Sequence, residues 1–411
     1  MCLVPDGTRG AVAASSLVTP VGPGPIRGAA LGDPTVIERG AVAWKDGAIT
    51  FVGPADELTD VEPEWFEGCT IAPGFVDCHT HLPFVGWRAD EFEARLSGAS
   101  YRDLHGQGGI YRSARMLAEA SDEEVLAFCR PLLQEMADHG TTTVEFKTGY
   151  GLSVEAELRQ ARLARRLADE APQTCTVTLL ACHAVPDGMD RAAWVRAACG
   201  ELIPAAAAEG LADAIDVYVE DIAFTLEDLR SVAEAAETAG LPLRCHADQL
   251  GDSGAGAGAA AAGARSADHL NHVDELGIAA LADSETLGVL LPASTFMLRA
   301  RPPDVRRIVD AGVAIALATD FNPGTSPVLS MPEAIAHACL LYGLSPHESL
   351  SAATVNAARV LGLERSHGTL EPGKLADLIV LDGDGFRQVP YRPGHDPVLH
   401  VFARGRRIGG R

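Results

Sequence analysis

The sequence predicts an α/β protein: a distorted (β/α)8 TIM barrel with a small β-sandwich domain formed by the N- and C-terminal segments. Three observations carry that prediction. Eight short apolar runs alternate with Ala-, Leu-, Glu- and Arg-rich stretches of helical character over roughly 290 residues, the size of one such barrel. Before and after that region the chain shows alternating β pieces around turn residues. Ionisable residues stand just past the ends of the runs, where a barrel gathers its functional side chains.

Residues 1–68 are assigned to the first part of the small β domain. Within them Ala41–Val52 holds two apolar runs around Asp46-Gly47, a hairpin signal. The barrel is assigned to 69–364. Its runs are Thr70–Val76, Thr141–Phe146, Thr174–Ala181, Ala214–Val219, Leu241–Cys245, Ala264–Ala267, Leu287–Leu291 and Val313–Ala318. The Gly/Ala tract 254–264 lies between two of them and is expected to open a helix. Residues 365–411 return to β character in Ala376–Asp382 and Leu399–Ala403, and are expected to pair with the N-terminal segment.

Composition excludes several partners. The 411 residues carry 33 Lys and Arg against 56 Asp and Glu, a net charge of −23. A nucleic-acid or anionic-membrane binder needs a concentrated positive field, so neither partner is expected. With 47% hydrophobic residues the chain has material for a large core. Only Lys45, Lys147 and Lys374 are Lys. Nine cysteines form no Cys-x-x-Cys pair, a pattern that suits a reducing cytoplasm. No apolar run approaches the roughly 20 residues of a membrane helix, and the start lacks a signal-peptide pattern.

The residues past the run ends are His79 and His81, His183, His246, His269 and Asp320. His79-x-His81 puts two imidazoles on one side of an extended chain, within reach of one cation. A third imidazole, His246, and the carboxylate of Asp320 complete a site for one divalent metal per subunit, Zn2+ or Fe2+. Alone, each residue has an ordinary use, such as a helix cap for Asp320. Their joint placement at run ends points to a metal centre.

Pro73-Gly-Phe-Val-Asp-Cys-His-Thr-His81 resembles the first-strand signature of the amidohydrolase superfamily, and Leu370-Glu-Pro-Gly-Lys-Leu-Ala-Asp-Leu-Ile379 its return to the β domain. More narrowly, Gly86–Gly98, His139–Leu152, Cys182–Pro186, His246–Gln249, Ser266–Leu270 and Ala318–Ser326 resemble the imidazolonepropionase family. That resemblance implies hydrolysis of the cyclic amide of 4-imidazolone-5-propanoate to N-formimino-L-glutamate. It implies metal ligation by His79, His81, His246 and Asp320, with His269 orienting or deprotonating the attacking water. Asp320 would pass the proton to the leaving nitrogen, His183 would help polarise the carbonyl oxygen, and Gln249 would hold the substrate. Arg88 would receive the propionate, with Tyr150, Asn322, Gly324 and Thr325 completing the contacts to a small anionic heterocycle. A homodimer is common among similar proteins.

Two departures stand out. Gln249 occupies a place where some relatives carry Glu, so proton transfer must rest on His269 and Asp320. The stretch Gly108–Arg115 lacks a further Gly expected after Gln107, and after Ile110 it carries Tyr111 and Arg112 where small hydroxyl residues are expected. The alternatives are another cyclic amidohydrolase, or a deaminase acting on a heterocycle with an anionic arm. Gln249 counts against a deaminase, which uses an acid there; a non-catalytic barrel would have lost its ligands.

Overall fold

The computed structural model describes residues 9–99 and 108–411; Cys2 and Gln107 lie outside them. The terminal segments form one mixed eight-stranded sheet. Its strands are β1 (Arg9–Thr19), β2 (Thr35–Glu38), β3 (Gly40–Lys45), β4 (Ala48–Pro54) and β5 (Glu64–Pro73). Asp46 and Gly47 link β3 to β4 with φ of 53° and 81°, the two positive values a tight hairpin of this twist requires.

The barrel follows as eight parallel strands: β6 (Phe75–Asp77), β7 (Thr141–Lys147), β8 (Thr174–Cys182), β9 (Ala214–Val219), β10 (Leu243–Ala247), β11 (Ser266–His269), β12 (Leu287–Leu290) and β13 (Ile315–Leu317). They neighbour one another in sequence order. Between the two ends of the row, Thr80 pairs with Phe321, and His81 N–H donates to Phe321 O at 2.8 Å, which brings the barrel near closure. β7, β9, β10, β11, β12 and β13 are buried at every residue, as continuous apolar runs in a parallel sheet should be. Covering helices start at capping boxes such as Ser121 with Glu124 and Thr225 with Asp228. The Gly/Ala tract forms a helix over Ala255–Ala261.

The chain then returns to the terminal sheet through β14 (Leu378–Asp382), β15 (Val398–Ala403) and β16 (Arg406–Gly409), with β14 antiparallel to β5. Three strands separate β3 from β15 along the sheet, yet the Trp44 and Phe402 rings lie 5.6 Å apart. At about 4.8 Å per strand a flat sheet would keep them far apart. The sheet therefore folds over a core of Val12, Leu17, Val42, Ile71 and Leu378, which gives it a sandwich shape.

One expected element divides in two. Thr70–Pro73 belongs to β5 of the terminal sheet, and only Phe75–Asp77 enters the barrel. Gly74 is the crossing point. A Cβ there would lie 2.2 Å from Thr142 Oγ1, so no larger residue fits where one sheet hands over to the other. The sheet boundary accordingly falls at Pro73–Gly74, five residues beyond 68.

Candidate active site

The residues expected at run ends converge at one mouth of the barrel. His81, Arg88, Tyr150, His183, His246, Gln249, His269, Asp320, Asn322 and Thr325 line one cleft of about 350 Å3, with Ile110 and Tyr218. His79 stands behind them, fully buried, its ring 4.5 Å from that of His246 and 5.3 Å from that of His81.

Possible ligand atoms of His79, His81 and His246 lie within 4.8 Å of one another, and so do those of His79, His269 and Asp320. Asp320 Oδ1 is 3.5 Å from His79 Nε2 and 3.3 Å from His81 Nε2. His79 Nδ1 meets Asp268 Oδ2 at 2.6 Å, and His246 Nδ1 meets Asp216 Oδ1 at 3.1 Å. A carboxylate accepts, so each Nδ1 carries the proton and each Nε2 a lone pair. Both Nε2 atoms are buried without a hydrogen-bond partner. Unpaired imidazole nitrogens converging beside a carboxylate oxygen are the donor set of a divalent cation, and the residues fit one. Geometry leaves His269 beside Asp320 as either a fifth donor or a base.

Burial sets the protonation states. It pushes His79, His81 and His183 well below the ordinary histidine value, aided by neighbouring cationic and imidazole groups. His269 is lowered to about 3 by burial, against the pull of Asp320. Asp320 is raised by burial, with His269 opposing. Burial also disfavours ionisation of Asp216, but His246, Lys147 and Arg244 outweigh it and hold the group well below the usual carboxylate range. His269 and Asp320 sit at φ of 80° and 55°, a backbone region that non-glycine residues seldom occupy.

Arg88 is only 3% exposed. Its Nη1 donates to Gly109 O and to Ser113 Oγ at 3.0 Å, and its Nε lies 3.4 Å from Glu91 Oε2. Gly324 enters the site through this side chain: a Cβ there would fall 1.8 Å from Arg88 Nη2. Asn322 organises the loop. Its Oδ1 accepts from Gly324 N at 2.9 Å, Thr325 N at 2.7 Å and Thr325 Oγ1 at 3.0 Å. These bonds close the loop on itself, while Asn322 and Thr325 also line the cleft.

His183 lines the same cleft. Its Nδ1 meets the Gly149 carbonyl at 3.0 Å, and a carbonyl only accepts, so Nδ1 is the protonated nitrogen. The neutral ring then offers Nε2 as an acceptor. Gly149 is required here, because a Cβ would lie 2.6 Å from His183 Nδ1. Tyr111 and Arg112 are not among the residues that line the cleft. Tyr111 Oη donates to Val185 O at 2.9 Å and Arg112 pairs with Asp90 at 2.5 Å, while Ile110 faces the cleft.

Sequence reasoning missed the layer beneath the cluster: Glu145, Lys147, Asp216, Arg244 and Asp268, all at most 1% exposed. The signal was present as charged residues inside apolar strand runs, Glu145-Phe-Lys147 above all.

The family model for the amidohydrolase family matches residues 70–408. An imidazolonepropionase from Symbiobacterium thermophilum is 42% identical over 409 residues, covering 97% of this chain and 96% of its own. One from Geobacillus kaustophilus is 40% identical, covering 92% and 91%. Among solved structures, Escherichia coli guanine deaminase superposes with a TM-score of 0.71 at 18% identity, covering 98% of this chain and all of its own. A zinc-bound adenosine deaminase from Xanthomonas campestris has a TM-score of 0.71 at 19% identity, covering 97% and 92%. At such identity these two share the fold alone, whereas full-length identity above 40% reaches further: the chain belongs to the amidohydrolase family and, within it, to the imidazolonepropionases.

Proposed function

We propose that the chain hydrolyses the cyclic amide of 4-imidazolone-5-propanoate to N-formimino-L-glutamate, a step of histidine degradation. The observation that carries this reading is the buried Arg88, which lines the same cleft as the histidine and aspartate cluster. A cleft with a cation-binding end and a guanidinium suits a heterocycle with a carboxylate arm.

His79, His81, His246 and Asp320 would hold one divalent metal, and three imidazoles with a carboxylate suit Zn2+ and Fe2+ alike. When bound, such an ion supplies Lewis acidity, polarising the amide carbonyl and making water nucleophilic near neutral pH. The remaining work falls to side chains. Arg88 pairs with the propionate. His183 Nε2 accepts a ring N–H and, with Tyr150 and Gln249, turns the carbonyl carbon toward the water. His269 orients that water beside Asp320, whose carboxylate receives its proton and returns it to the ring nitrogen as the C–N bond breaks. Asn322, with Gly324 and Thr325, holds the loop that packs on Arg88. Gln249 has no acidic proton to donate to a leaving amine, which favours ring opening over deamination.

No described helix is long and apolar enough to cross a membrane, and the eight described cysteines are unpaired. Both agree with a cytoplasmic enzyme, which we read as a homodimer; a sedimentation mass of one chain would remove the dimer. The activity itself is tested by following loss of imidazolone absorbance with purified protein of known metal content. No turnover at one equivalent of bound metal would sink the substrate assignment.

A further inference from the structure

Beneath the cluster, five buried charged side chains form one connected chain between two of the proposed ligands. From His79 it runs through Asp268 at 2.6 Å to Arg244 Nη2, which meets Asp268 Oδ2 at 2.9 Å. Arg244 Nη1 donates to Glu145 Oε1, and Lys147 Nζ donates to the same oxygen at 3.1 Å. Lys147 Nζ also reaches Asp216 Oδ2 at 2.7 Å, and Asp216 Oδ1 meets His246 at 3.1 Å. Ser266 Oγ accepts from Arg244 Nε at 2.9 Å, and Thr178 Oγ1 donates to Glu145, so the middle of the chain is anchored on both sides.

Burying five charges is expensive unless each is paired, and replacing such a set by apolar residues is often neutral or stabilising. Stability alone therefore does not account for the set. We propose that Arg244, Glu145 and Lys147 are positioning residues that couple His79 to His246, so that both Nε2 lone pairs are presented to one cation together. Arg244 fixes Asp268 and Lys147 fixes Asp216; each carboxylate fixes one imidazole as the Nδ1–H tautomer; Glu145, shared by both cations, makes the two halves one unit. This inference rests on the metal-site reading but not on the identity of the substrate.

The test reads metal binding, with Zn2+ as the probe. Arg244→Lys keeps the charge and loses the planar fork. Glu145→Leu removes the acceptor that Arg244 and Lys147 share, without touching either histidine or its carboxylate. Partners of metal-bound histidines typically change affinity by about 10- to 100-fold, so each variant should raise the Zn2+ dissociation constant about 10-fold in chelator competition. A residue that merely stabilises the barrel would lower the melting temperature of the metal-free protein and leave that constant unmoved. A rise of less than threefold in either folded variant overturns the proposal. The parent protein supplies an independent check: in the metal-free state, 15N-histidine spectra should show protons on Nδ1 of both His79 and His246, and an Nε2–H tautomer at either also overturns it. Loss of imidazolonepropionate turnover with these results intact would count against the substrate alone.

Discussion

Gly324→Ala tests the anion receptor without replacing the Arg88 side chain. Gly324 does not have a positive φ, so alanine adds no backbone strain there; its whole effect comes from one methyl group. That methyl would lie 1.8 Å from Arg88 Nη2, 2.2 Å from Nε and 2.3 Å from Cζ. Ordinary contact is about 3.5 Å, so the guanidinium must move by roughly 1.5 Å. It cannot do so and keep Gly109 O, Ser113 Oγ and Glu91 as partners. A hydrogen-bonded charged pair is worth about 1.5–3 kcal/mol, which corresponds to roughly a 10- to 150-fold rise in KM for imidazolonepropionate. kcat should stay within about threefold, because no residue at the cation site is disturbed. Steady-state kinetics with a matched imidazolone lacking the carboxylate arm completes the assay: parent and variant should turn it over equally poorly. An unchanged KM, or a collapse of kcat at constant KM, would refute the role of Arg88.

Other outcomes follow from the same geometry. Arg88→Met should chiefly raise KM, whereas Asp320→Ala should abolish kcat and weaken metal retention, read by metal analysis after dialysis; similar profiles for the two would contradict the division of roles. Gly149→Ala should cut kcat/KM at least about 10-fold, since its Cβ would displace His183 and its φ is 112°. Gly188→Ala is the control: φ is 75°, nothing lies within 4 Å of its Cβ, and it should cost about 1 kcal/mol of stability with activity intact. His139 sits 3.6 Å from Asp396, whose carboxylate raises the imidazole pKa; Asp396 is lowered by His139 despite its own burial. The histidine contribution is present below its unfolded pKa and is lost as pH rises through the folded value, while that of Asp396 is lost in acid. His139→Gln should therefore cost at most about 1 kcal/mol near pH 5.5 and little above pH 8, by denaturant titration.

The barrel was legible because its strands are continuous apolar runs, and the cluster because catalytic groups follow strand ends. Three things were not. The run Thr70–Val76 reads as one strand because hydrophobicity does not mark a change of sheet; the marker is Pro73-Gly74, meaningful only once Thr142 is known to pack against it. The charged layer escaped because Glu145, Lys147, Asp216, Arg244 and Asp268 lie on four strands, and only their order in the barrel brings them together. The tautomer of His183 depends on where the Gly149 carbonyl points, a backbone fact that residue identity does not encode. The identities of Tyr111 and Arg112 likewise do not say which side of their helix faces the cleft, where Ile110 sits.

The proposed reaction adds water at the ring carbonyl of 4-imidazolone-5-propanoate and breaks a ring C–N bond. The measurement that meets it most directly is turnover of that compound by the metal-loaded protein in H2 18O, with mass analysis of the product and assay of ammonia. The product should be N-formimino-L-glutamate carrying one 18O in the newly formed carboxylate, without ammonia release. Ammonia formed in step with substrate loss, or a product without label in that carboxylate, would contradict it.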